Sequence, residues 1–458
     1  MSSSNPWLLR RWLTSLMMRH LSNPRLRRNA RERFEKQRRK SGEPHRIEYF
    51  HQAEDPYSHL AAQVLQSLLN TYDIELVPYL VTGPPGDNAP EPEMLLPYSQ
   101  RDCAAVAPHY GLQFPEAIPA PDDVQTGFAQ RILASATDGD FPQLAVTVGR
   151  ALWSGSLRQL EDLAGRLGES NPQETEAKLA RGNARREKLG HYSGAMFYYG
   201  GEWYWGVDRL YHLENRLLEL GLRRDSSQQL LVPRPGIAKG TVKDTGSMTL
   251  EVYPSVRSPY TSIIFDKAVD LARHTGVRLS VRPVLPMVMR GAPVTMAKGR
   301  YIFFDAAREA ETLGMQWGDG WDPIGKPVRR VYALFPWAEE QGKGNALLSS
   351  FLRMAWSERV HTNRSSGLRK VVEDAGLDWK QARTHLKDTG WEALVERNCE
   401  AMYAQGVWGV PSFRLLDKKG ETLLSVWGAD RLWLIARFMQ KRLRQNQPVF
   451  TPSDLADT

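Results

Sequence analysis

Cys103 and Cys399 are the only thiols in the chain, and neither stands in a Cys-x-x-Cys pair. Disulfide exchange needs an attacking thiolate and a partner sulfur, so the chain's own cysteines are excluded from it. The same count excludes a disulfide framework and a zinc site. Cys399 falls in a helical stretch, ALVERNCEAMYAQ, and reads as a packed thiol. His361 and His385 lack a metal-ligand spacing. The chemistry that remains is that of hydroxyl, carboxylate and backbone groups at a few positions. Ser258 stands before Pro259 and Tyr260 at the start of an apolar helical run. Proline favours the first helical position, so Ser258 reads as an N-cap beside the positive end of a helix dipole. Asp430 follows Gly428 and Ala429 at the start of another helix, and either caps it or helps that terminus bind a ligand. Val410-Pro411 leads into a strand.

The elements that position these residues occur twice. Residues 47–61 (IEYFHQAEDPYSHLA) and 250–264 (LEVYPSVRSPYTSII) each run from strand through polar turn and x-Pro-Tyr into a helix. Residues 204–220 (YWGVDRLYHLENRLLEL) and 426–439 (VWGADRLWLIARFM) are a second matched pair, in the same order. Between them each copy has a second strand containing proline (LVPYL, LSVRPVL) and a long helical insert. Each copy thus predicts β-α-β, insert, β-hairpin and closing helix. The first hairpin turns at Gly200-Gly201 and the second at Lys418-Lys419-Gly420. Trp203, Tyr204 and Trp205 read as packing residues rather than a stacking platform.

With these motifs in hand, the sequence resembles the DsbA-like thioredoxin superfamily. Within it the nearest branch is 2-hydroxychromene-2-carboxylate isomerase and kappa-class glutathione transferase. The residues that carry the resemblance are Ser258-Pro259-Tyr260 and Lys298-Gly299-x-Tyr301 with Asp305 and Arg308. They continue with Gly406-Val407-Trp408-Gly409-Val410-Pro411-Ser412-Phe413 and Trp427-Gly428-Ala429-Asp430-Arg431. Redox members start the first helix with Cys-x-x-Cys, whereas Ser258 resembles the glutathione-using branch, in which the cofactor brings the thiol. The resemblance implies that Ser258, at the head of the Pro259-Tyr260 helix, stabilises a glutathione thiolate. It implies a cis Val410-Pro411 bond whose backbone pairs with the peptide as an added strand would. Ala429 and Asp430 would then meet the γ-glutamyl end and Lys298 the glycyl carboxylate; a plain cap and a solvated lysine are the other readings.

The family's asparagine upstream of this lysine is replaced by Met289-Arg290-Gly291-Ala292-Pro293. The first copy departs further, with Asp55 for Ser258 and Ala195 for Pro411. Ala195 precedes Asp208 by 13 residues, against 19 from Pro411 to Asp430, so the second hairpin is six residues longer. The implied function is a glutathione-dependent isomerase or transferase-like enzyme acting on a small electrophilic substrate. The alternative is a non-catalytic thioredoxin-like binding or scaffold protein that has lost the site in both copies.

The fold class expected is α/β: two tandem thioredoxin-like domains, each with a helical insertion, behind a basic N-terminal arm. For 458 residues the expected boundaries are 1–44 arm, 45–222 degenerate domain, 223–247 linker, 248–442 domain with the site, and 443–458 tail. The net charge of +8 belongs to the arm: residues 1–42 hold 12 Lys and Arg against Glu32 and Glu35. Trp7, Leu8, Leu9, Trp12, Leu13, Leu16 and Met17 recur at helical spacing there. The arm is expected either to lie on an anionic membrane surface or protein partner, or to stay solvated, and to be dispensable for folding. It lacks base-reading features for nucleic acid. Two unpaired cysteines suit a cytoplasmic protein, here with a route to peripheral membrane attachment. An arginine- and serine-rich organellar transit peptide is a further reading of the same residues.

Overall fold

A computed structural model of the chain describes residues 8–116 and 118–445. Trp7 of the arm pattern, and the tail beyond residue 445, lie outside the described residues. The chain divides into two compact units. The N-terminal unit comprises Asn23–Arg234 with Ala292–Ile302; the C-terminal unit comprises Pro235–Gly291 and Phe303 onward, together with the residues up to Ser22.

Both units are built on one four-stranded sheet of the same topology. In the N-terminal unit β1 (Arg46–His51) pairs in parallel with β2 (Glu75–Leu80) and antiparallel with β3 (Met196–Tyr199), which pairs with β4 (Glu202–Trp205). In the C-terminal unit β5 (Met248–Tyr253) pairs in parallel with β6 (Arg278–Val281) and antiparallel with β7 (Ser412–Asp417), followed by β8 (Thr422–Trp427). The parallel pairs need a crossover, supplied by the helices Pro56–Thr71 and Pro259–Thr275. Five helices from Pro92–Val106 to Pro172–Lys188 form the first insert, and six from Met296–Thr312 to Gly390–Tyr403 the second. In the C-terminal unit Leu250, Val252, Phe413 and Leu415 of the sheet join Ile264, Phe265 and Leu271 of the crossover helix in one core.

The tyrosine after each helix-opening proline is anchored alike. Tyr57 donates to Asp102 at 2.7 Å and Tyr260 to Asp305 at 2.8 Å, 45 residues further along the chain in both cases. Both aspartates are buried. The hairpins differ at their far ends. Gly200 and Gly201, with φ of 52° and 88°, turn the four-residue strands of the first. The second has six-residue strands and a longer turn through Gly420. Among the described residues no helix is long and apolar enough to cross a membrane.

The arm and the expected linker are docked segments. The helix Leu8–Leu21 packs within the C-terminal unit, where Arg11, 2% exposed, donates to the carbonyls of Asp322 at 2.9 Å and Ile324 at 2.5 Å. Ser15 donates to the Gly320 carbonyl at 2.6 Å, and Met18 enters the core. The next helix, Pro24–Ser41, packs within the N-terminal unit, where Tyr199 donates to buried Glu35 at 2.9 Å. Of the linker, Leu231 and Val232 give their N–H groups to buried Glu214, while Asp244 accepts from the N–H groups of Gly246, Ser247 and Met248 ahead of β5. The helix Leu8–Leu21 is therefore packed within a folded unit, and whether the unit folds without it is decided by its contribution to stability. Its buried arginine satisfies two carbonyls. Arg11→Ala is expected to destabilise the C-terminal unit by about 1–3 kcal/mol, seen as a lower denaturant midpoint. An unchanged midpoint would return this helix to the status of a free arm.

Candidate active site

Ser258 caps the helix Pro259–Thr275 in an extended conformation, φ −82° and ψ 123°, with Pro259 in its first turn. Its Oγ accepts the N–H of Thr261 at 3.2 Å and donates to the carbonyl of Val410 at 3.2 Å. Only 9% of the residue is exposed. The Val410-Pro411 peptide is cis. Ser258, Pro259, Val410 and Pro411, far apart in the chain, thus meet at one helix N-terminus. Tyr260 belongs to the helix but directs its hydroxyl into the interior, onto Asp305.

The Pro411 carbonyl accepts the N–H of Gly428 at 3.0 Å, which ties the proline loop to the Trp-Gly-x-Asp-Arg turn. In the N-terminal unit the Ala195 carbonyl accepts the N–H of Gly206 at 2.7 Å. Ala195 is therefore the counterpart of Pro411, and the six extra hairpin residues leave this end of the hairpin unchanged. Ala429 and Asp430, both half-buried, form a short turn ahead of the helix Leu432–Gln445. Gly428 has φ 119°, and a Cβ there would lie 2.4 Å from Asp430 Oδ1, so the turn requires glycine.

Two arginines hold the site's backbone in place. Arg290 occupies the stretch where the resembled family has asparagine. It donates to the Trp408 carbonyl at 2.9 Å and, with its other terminal nitrogen, to Cys399 Sγ and the Tyr403 hydroxyl, each at 3.3 Å. On the opposite side of this loop a Cβ on Gly409 would come within 2.1 Å of the Trp427 ring. Arg257, immediately before Ser258, makes a two-pronged pair with Asp322 at 2.8 and 2.9 Å. Burial opposes the charge on Asp322, but Arg257 outweighs it and keeps the carboxyl below its usual range. Sequence reading missed both roles, because each depends on a partner more than 60 residues away. Lys298 lies in the segment grouped with the N-terminal unit, where its Nζ donates to the Asn88 carbonyl at 3.2 Å and burial pulls its pKa down.

The two cysteines are free, Cys103 buried and Cys399 half-buried, so the C-terminal helix start carries a hydroxyl rather than a redox pair. The N-terminal unit puts a carboxylate at the same place. Asp55 caps the helix Pro56–Thr71, accepting from the N–H of Tyr57 at 3.3 Å and from the N–H and hydroxyl of Ser58 at 2.9 and 2.8 Å. The Ser58 hydroxyl also accepts the N–H of Ala195 at 2.9 Å. Side-chain bonding thus fills this position from within. Among the described residues no group of three or more His, Cys, Asp or Glu is arranged to hold a metal ion.

Burial pushes the Asp55 carboxyl up to about 6 against its capping bonds. The folded chain then holds a proton that the unfolded chain releases near pH 3.8. The associated stability is full below that pH and is lost as pH rises through 6. Asp55→Asn, still a competent cap, is expected to stabilise the N-terminal unit by about 1–2 kcal/mol at pH 7.5, with the gain shrinking toward pH 4. Denaturation at the two pH values checks this, and a gain independent of pH would contradict it.

Residues 249–440 match the family described as DSBA-like thioredoxin domain. No curated protein sequence matches the chain. Among solved structures, 2-hydroxychromene-2-carboxylate isomerase is 21% identical over 45% of this chain and 99% of its own, with a TM-score of 0.36. A probable DsbA oxidoreductase from Streptomyces coelicolor is 21% identical over 44% and 93%, with a TM-score of 0.33. The cytosolic disulfide reductase DsbM from Pseudomonas aeruginosa, solved with GSH, is 16% identical over 43% and 99%, with a TM-score of 0.31. The C-terminal unit thus matches the DSBA-like thioredoxin family, the N-terminal unit repeats its sheet topology, and the architecture is two thioredoxin-like domains behind an N-terminal helical arm.

Proposed function

We propose that the C-terminal unit is a glutathione-dependent isomerase or transferase-like enzyme whose thiol comes from the cofactor. The observation that carries this reading is the contact between the Ser258 hydroxyl, at a helix N-terminus, and the Val410 carbonyl beside Pro411. A hydroxyl donor and the positive end of a helix suit a thiolate there, and the backbone of Val410 suits a short peptide. The residues present fit glutathione at that end. Bound there, glutathione supplies a thiolate nucleophile toward a small electrophilic substrate.

The chain's own residues then have separate tasks. Ser258 turns its hydroxyl proton from the Val410 carbonyl toward the sulfur and stabilises negative charge on it. Pro259 starts the helix without needing an N–H partner, and Tyr260 locks the helix to Asp305. Val410 and Pro411 form the peptide-binding edge, Arg290 holds that loop through Trp408, and Ala429 and Asp430 receive the γ-glutamyl end. One observation favours the second reading, a non-catalytic binding module. Lys298, the expected partner of the glycyl carboxylate, is engaged by Asn88 in the N-terminal unit.

Calorimetric titration with glutathione, combined with ultraviolet titration of the bound thiol, separates the two readings. The wild type is expected to bind, and Ser258→Ala to raise the bound thiol's pKa by about one to two units with a modest change in affinity. Absence of binding at millimolar glutathione would leave the binding-module reading in its place.

A further inference from the structure

The helix Leu8–Leu21 carries its amphipathic character inside out. Its buried face is largely polar: Arg11, Ser15 and Met18, with Ser22 just beyond, are 2%, 2%, 4% and 9% exposed. These residues recur every three or four positions and so share one side of the helix. Arg11 and Ser15 fix that side to the carbonyls of Asp322, Ile324 and Gly320, and Arg19 pairs with Asp319 at 3.1 Å. The opposite side carries Trp12, Leu13 and Met17, which are 47%, 53% and 55% exposed. A surface helix ordinarily turns such residues inward. Here hydrogen bonds specify the helix's orientation, and they hold Trp12, Leu13 and Met17 out in water.

We propose that this outward face docks on an anionic lipid bilayer. Charge selects the occupant. The following helix, Pro24–Ser41, exposes Arg25, Arg28, Arg33, Lys36, Arg39 and Lys40. Residues 1–42 hold 12 bases against two acids. Tryptophan beside leucine and methionine inserts at the headgroup boundary, and bases that follow directly in the chain add attraction to anionic headgroups. A second copy of the chain would bring the same positive charge to the contact, which opposes self-association through this face. No residue of the thiol site takes part, so the docking surface stands apart from the function proposed above.

Sedimentation of the full chain with lipid vesicles tests the assignment. The wild type is expected to bind phosphatidylserine-containing vesicles at low salt, to bind pure phosphatidylcholine vesicles at least tenfold more weakly, and to be released by high salt. Trp12→Glu with Met17→Glu is expected to weaken binding at least tenfold while leaving the thermal transition unchanged, because both side chains face water. Arg25→Glu with Arg28→Glu is expected to weaken binding and flatten its salt dependence. The proposal is overturned if the wild type fails to sediment with anionic vesicles, or if the Trp12/Met17 variant binds as the wild type does. It is equally overturned if the protein forms a dimer that this variant dissociates and that binds no vesicle, which assigns the face to a second copy.

Discussion

A helix beginning inside a protein leaves N–H groups that need acceptors, and much of this structure follows from how two such beginnings are served. In both copies the crossover helix starts at a side-chain oxygen followed by proline, with an oxygen of the cap accepting from the first turn. The tyrosine after the proline is bound to a buried aspartate of the insert. That arrangement fixes where the helix starts relative to the sheet and the insert. It also places the cap opposite the loop that leads into the hairpin.

The two copies share this frame and differ in the oxygen. A serine hydroxyl is neutral and can turn its proton toward a ligand, whereas Asp55 brings a charge that burial disfavours and that Ser58 already engages. The loops opposite have diverged in step. Ser258 meets the carbonyl of Val410 across the C-terminal cap, while Ser58, one helical turn into the first copy, takes the N–H of Ala195. The frame is shared, and the capping chemistry differs: a neutral hydroxyl in one copy, a carboxylate bonded from within in the other.

Around the serine, rigidity comes from two arginines, one bonded to a backbone carbonyl and one to a buried carboxylate. Arg290 holds Trp408, and Arg257 holds Asp322, whose carbonyl also receives Arg11 of the opening helix. The opening helix and the segment just before Ser258 therefore converge on one residue, Asp322. Such bonds resist displacement, because removing one partner strands a polar group away from water.

The duplication, the order of elements in each copy and the cap at Ser258 were legible in the sequence. Strand alternation, Pro at a helix start, Gly-Gly at a hairpin turn and the paired x-Pro-Tyr and Trp-Gly-x-Asp-Arg motifs all act over a few residues, and their physics is local. The meeting of Ser258 with Val410 was foreshadowed only by resemblance. The placement of Lys298 beside Asn88, the roles of Arg257 and Arg290, and the burial of Arg11 were not legible. Each is settled by which distant carbonyl or carboxylate oxygen a long cationic side chain reaches, and residue type carries no information about that. The opening helix makes the point most sharply. Its apolar spacing said that one side would seek a nonpolar surrounding, but only the tertiary structure, through carbonyls at Gly320, Asp322 and Ile324 awaiting donors, decided that the polar side would be the one buried.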